Sequence, residues 1–107
     1  MTDSSELEHI VSAAGIHGGL ACDARGRTRS RAGRDPGVSA STALALLRLG
    51  SLTGDALGLG PLRGVESCGR EHALLCTPDG DGAVIIHAGT RAPLAGLRER
   101  LRAASGN

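Results

Sequence analysis

The chain contains no Phe, Tyr or Trp. Leu, Val, Ile and Ala must fill its core alone. Aromatic anchors, which dominate many interfaces, are missing. So are the stacking platforms on which single-stranded nucleic acids lie. Lysine is absent too; all 12 basic residues are Arg. That excludes a Walker A lysine, a Schiff base and a lysine general base. Neither sign of charge dominates. The formal net charge is +1, so the molecule as a whole does not advertise a polyanion partner. No apolar run approaches the ~20 residues of a membrane-spanning helix. The N-terminus MTDSSELEHI is polar and acidic, unlike a secretory signal. The three cysteines Cys22, Cys68 and Cys76 are odd in number. These features point to a reducing, cytoplasmic setting without membrane partners.

What is present is an ordered series of apolar segments filling nearly all 107 residues. At this length the chain is one domain, 1–107, with loose ends at 1–3 and 105–107. Asp3 or Ser5 can cap a first helix, each with a Glu three residues on. Leu7, Ile10, Val11 and Ala14 form its apolar stripe, and Gly15 ends it. Ile16–Asp23 reads as a strand. Its glycines, Gly18 and Gly19, mark a bulge or a close backbone approach. Asp23-Ala24-Arg25-Gly26 is a turn, and Thr28–Ala32 a second strand. After a break at 34–37, Ser39 or Ser41 caps a long helix reaching about Leu57. Its apolar residues cover two faces, so one face packs on the sheet and the other wants a partner. Gly50 and Gly54 each cost roughly 1 kcal/mol there; they either end the helix early or let another helix come close.

Three strands follow: Arg63–Cys68, Glu71–Thr77 and Ala83–Ile86. Gly69-Arg70 is the expected first hairpin turn, and residues 78–82 form the second turn. Ala83–Ile86 is apolar on both faces and belongs at the sheet centre. Pro93 suits the start of a last helix. Its inner face holds Leu94, Leu97, Leu101 and Ala104, with Arg98, Arg100 and Arg102 outside. So complete a use of the chain leaves little loop for a catalytic site. No catalytic residue, cofactor or metal is assigned, and the protein is expected not to be an enzyme.

This architecture resembles the roadblock family of dynein light chains. The likeness rests on GIHGGLACDARGRT (Gly15–Thr28), SASTALALLRLG (Ser39–Gly50) and GAVIIHAGTRAPLAGLRERLRAA (Gly82–Ala104). It covers almost the whole chain and is a likeness of pattern rather than of signature residues. The missing aromatics and the short connection at Gly37–Val38 depart from the family pattern. The resemblance implies a bacterial single-domain member with an α+β, profilin-like fold, in the order α-β-β-α-β-β-β-α. It implies a five-stranded antiparallel sheet, order 2-1-5-4-3. The long helix lies on one face and both terminal helices on the other. It further implies a homodimer, or a mixed dimer with another roadblock chain, joined at the third strand and the long helix.

Residue chemistry agrees with that edge. Arg27, Arg29 and Arg31 guard the second strand against pairing, whereas Gly64-Val65-Glu66-Ser67-Cys68 has no such positive guard. Ala43, Leu44, Leu47 and Arg48 of the helix and Val65, Glu66 and Ser67 of the strand are the expected dimer or partner contacts. By resemblance the role is a regulator or scaffold for a small Ras-like GTPase, in one form its activating protein. The alternatives are a structural adaptor of a larger complex and a small-molecule sensor. The chain has no nucleotide-binding loop of its own, and no Arg can be named as a finger.

Other patterns have plainer readings. Arg25, Arg27, Arg29, Arg31 and Arg34 read first as a solvated edge, then as a docking surface for an acidic protein. Nucleic acid comes last. Cys68-x3-His72-x3-Cys76 has metal-like spacing, but hairpin register sets its sulfurs apart, so the cysteines read as small apolar side chains. Asp79-Gly80-Asp81-Gly82 opens like a calcium loop, yet Val84, Ile85 and Ile86 stand where ligands are needed. His9, His17, His72 and His87 lack a partner nucleophile and read as surface or strand-end residues.

Overall fold

The computed structural model describes residues 2–35, 37–89 and 94–105. Helix α1 spans Ser4–Val11 and is capped by Asp3, whose carboxylate accepts the Glu6 amide at 2.8 Å. It stops at Val11, short of the expected end, so Ala14 is exposed beyond it. Strands β1 (Ile16–Cys22) and β2 (Thr28–Gly33) form a hairpin. Asp23 makes its turn: its side chain accepts the amides of Arg25 and Arg27 at 2.9 and 3.0 Å. Helix α2, Ala40–Ala56, runs from the Ser39 cap to Leu57. Neither Gly50 nor Gly54 ends it. A Cβ on Gly50 would lie 2.8 Å from Val65 Cγ2, so this glycine admits a strand and not a second helix.

Strands β3 (Val65–Cys68), β4 (His72–Asp79) and β5 (Gly82–Gly89) follow, then helix α3, Leu94–Ser105. Cys68 pairs with Ala73 and Val65 with Cys76, so the hairpin turn is Arg70-Glu71 and not the expected Gly69-Arg70. The ladder runs on as far as Asp79↔Gly82, which puts Pro78 and Asp79 in the strand. Gly80, at φ +61°, is the first central residue of that turn, as type II′ requires. Pro93, and the side chains of Leu94, Arg102 and Ala104, lie outside the described residues.

The sheet is antiparallel in the order β2-β1-β5-β4-β3, as expected. Side-chain alternation builds two cores on it. Ala21, Leu75, Val84 and Ile86 meet Leu7, Ile10, Leu97 and Leu101 of α1 and α3. Leu20, Cys22, Cys76, Ala83 and Ile85 meet Ala40, Ala43 and Leu47 of α2. The helices therefore divide between the faces as the resemblance implies. Within the sheet, neighbouring backbone comes close at two glycines. A Cβ on Gly18 would overlap the Arg34 carbonyl, and one on Gly82 the Cys22 carbonyl.

Candidate interaction surface

The sheet has two edges, and their chemistry differs. In β2 the register against β1 jumps between Ala21↔Ser30 and Cys22↔Thr28, leaving Arg29 as an extra residue. The bulge carries Arg29 to Asp79, with Nη2 donating to Oδ2 at 2.8 Å. Asp79 is fully buried, and its carboxylate also accepts the Thr2 amide at 2.9 and 3.1 Å and the Thr2 hydroxyl at 3.3 Å. Thr2, expected in a loose end, is thus buried and bound. Asp79, expected only as a turn residue, anchors the edge.

Strand β3 is four residues long, and Glu66, Ser67 and Cys68 are exposed. The Gly69 amide donates to the His72 carbonyl at 2.8 Å, which makes that a hydrogen-bonded pair. By antiparallel alternation, Val65 and Ser67 bond to β4, and the backbone groups of Glu66 and Cys68 point out from the sheet. The Glu66 side chain accepts from Arg98 Nε of α3 at 2.8 Å. Behind β3, α2 passes with Gly50 against Val65. Leu49 and Leu52 are each 63% exposed, and Leu57 and Leu59, past the helix, 66% and 73%. These four leucines are the large exposed apolar side chains among the described residues.

The expected contact residues divide. Ala43 and Leu47 are buried in the chain's own α2 core, and Leu44 and Val65 pack half-buried against it. Arg48, Glu66 and Ser67 are exposed. Leu49 and Leu52 were legible as apolar helix positions, and the stripe Ala45, Leu49, Leu52, Ala56 has the 4-3-4 spacing of one helical face. What the sequence does not display is which of two apolar stripes the sheet takes.

Cys68 is exposed and Cys76 buried, three positions apart along the ladder. Burial pushes the Cys76 thiol up to about 12, and it donates to the Ala43 carbonyl. Burial also raises Cys22. Among the described residues no group of His, Cys, Asp and Glu is arranged to hold a metal ion. No helix among them is long and apolar enough to cross a membrane. Arg31 pairs with Asp35 at 3.6 Å on an open cleft between β2 and the start of α2.

An antiparallel sheet with one long helix on one face and two terminal helices on the other defines the class: an α+β sandwich with an open edge strand. No protein-family model matches the chain, and no curated protein does. Solved structures do. The Roadblock/LC7 domain from Streptomyces avermitilis aligns with TM-score 0.83 at 21% identity, over 99% of this chain and 93% of that one. Myxococcus xanthus MglB aligns at 0.80 and 18%, over 96% and 88%. MglC from Myxococcus xanthus aligns at 0.63 and 14%, over 95% and 92%. The chain has the roadblock/LC7 fold.

Proposed function

We propose that this chain is a roadblock-family protein acting as a non-catalytic homodimer. In this reading it regulates or scaffolds a small Ras-like GTPase. The observation that carries the reading is the pairing of an open edge strand with exposed leucines on the helix behind it. A stable interface buries about 1,200–2,000 Å². Four residues of edge supply only part of that, so β3 needs the leucines of α2 beside it. A two-fold axis at β3 would bring both elements against their own copies, the self-complementary form of a homodimer. The MglB and MglC neighbours support the regulatory role, one of them being described in a tetrameric arrangement. Arg48, Glu66, Ser67 and Val65 then border the interface. Ala43, Leu44 and Leu47 shape α2 from within.

Two measurements test this. Light scattering at micromolar concentration should give a dimer, and Glu66→Pro should give a monomer. Glu66 is chosen because its amide points away from β4, so proline spares the chain's own ladder. The second measurement is GTP hydrolysis by a Ras-like GTPase of the same organism. Faster turnover makes the chain an activator. Binding with unchanged turnover makes it an adaptor. A monomer that binds no such GTPase overturns the reading.

A further inference from the structure

Three of the four histidines meet at one end of the sheet. His17, His72 and His87 come from β1, β4 and β5, which are neighbours in the order β1-β5-β4. Ring centroids are 4.9 Å apart for His72–His87, 5.2 Å for His17–His87 and 6.2 Å for His17–His72. Register brings them together. His87 stands opposite Gly18 of β1, and His72 stands opposite Gly89 of β5. Each ring has a glycine beside it and so has room to lean across. His17 occupies the bulge between Ile16 and Gly18. Alternation sets His72 and His87 on the α2 side of the sheet, with Cys76 and Ile85.

The cluster has room for few protons. His87 Nε2 and His72 Nδ1 are 3.2 Å apart, so one donates to the other. If both rings are charged, both nitrogens are donors and the bond is lost. His87 Nδ1 is buried and has no partner among the described residues. When the proton between the rings sits on His87 Nε2, Nδ1 can stay bare. Charging His72 then removes the acceptor, whereas charging His87 puts an N–H at the buried, partnerless Nδ1. Every route to a charged pair therefore breaks a hydrogen bond or orphans a buried donor, either of which is costly. The groups acting on His87 compound this: His72 from β4, His17 from β1 and Arg34 after β2. None is acidic. The ionisable residues of α2, Arg48 and Asp55, are both exposed. Burial, ahead of these charges, holds His87 below the ordinary 6.5.

We propose that His17, His72 and His87 form a proton-responsive lock, whose neutral rings hold β1, β5 and β4 together at one end and which acid releases. The direction follows from linkage. A histidine that resists protonation when folded lets the unfolded chain take the proton first, so its contribution is full above the ordinary 6.5 and is lost as pH falls below it. Release starts beside the β3–β4 turn, because His72 supplies the carbonyl that closes it. It requires no partner and no dimer.

The test is thermal unfolding of the whole chain at pH 7.5 and pH 5.0, with imidazole NMR titration alongside. Wild type should lose several degrees of Tm on acidification. His72→Gln, at an exposed position, should lose at most half as much, and His87→Gln likewise where it folds. His9→Gln, on exposed α1, should behave as wild type. In the titration the His87 resonance should move below the ordinary 6.5. An equal acid loss in wild type and His72→Gln, or titration of His87 at or above the ordinary 6.5, overturns the proposal.

Discussion

The two edges of the sheet solve one problem in opposite ways. Strand β2 is closed: its bulge sends Arg29 to a buried carboxylate, Arg31 meets Asp35 at the rim, and Ala32 is buried with Leu7 and Ile10 of α1. Strand β3 is open: three of its four residues are exposed, and the helix behind it shows leucine to solvent. The bare pattern of strands does not distinguish them. The difference is made by side chains far away in sequence, since Asp79 lies 50 residues from Arg29. The long-range ion pair of the closed edge reaches a fully buried carboxylate, whereas that of the open edge, Arg98–Glu66, stays at the surface.

The largest effect should come from unlocking the closed edge. Asp79→Ala leaves Arg29 and the Thr2 amide without their shared acceptor. Breaking a fully buried pair costs about 3–5 kcal/mol. Because the Arg29 side chain keeps 29% exposure, a loss of about 2–3 kcal/mol is expected, read from urea unfolding. At the open edge, Leu49→Glu combined with Leu52→Glu should weaken dimerisation about 10–100-fold in sedimentation. Monomer stability should stay within about 0.5 kcal/mol of wild type, since both side chains are exposed. If stability collapses instead, those leucines belong to the fold and the contrast between edges fails.

Thiol chemistry sharpens the comparison without a substitution. Cys68, exposed on β3, should react with a disulfide reagent at neutral pH. Cys22 and Cys76, buried and with raised thiols, should react only on unfolding. Protection of Cys68 that rises with protein concentration would place it within the dimer. The smallest effect concerns the turn leading into β2. Hydrogen bonds from the Arg27 and Arg25 amides hold the Asp23 carboxyl below the usual 3.8. Its depressed value means its contribution is present above about pH 4 and fades as pH falls through the folded value. The Tm gap between wild type and Asp23→Asn should therefore close in acid.

The fold was legible because each element carries its own local signal. The Ser39 cap, the run Ala83–Ile86 and the Asp23–Gly26 turn require only neighbours in sequence, and strand order followed from the family likeness. Register was less legible: the β3–β4 turn fell one residue later than its glycine suggested. The interface was half legible. Leu47 and Leu49 are both leucines on one helix, yet one is buried in the core and the other exposed. Only packing against Cys76 and Ile85 decides between them. The buried Asp79 and the histidine cluster were not legible, because each depends on bulges and on pairing between distant strands.

Strand β5, at the centre of the sheet, is committed to both cores. Ala83 and Ile85 face one core, Val84 and Ile86 the other, and all four are buried. A helix can drift on its outer face, and an edge strand on its outer rim. This strand has no outer side. Across a library of single substitutions it should appear as an unbroken band of intolerance, while the solvent face of α2 absorbs change. The middle of the sheet is then the part of the chain least free to be rewritten, and its exposed helix faces the freest.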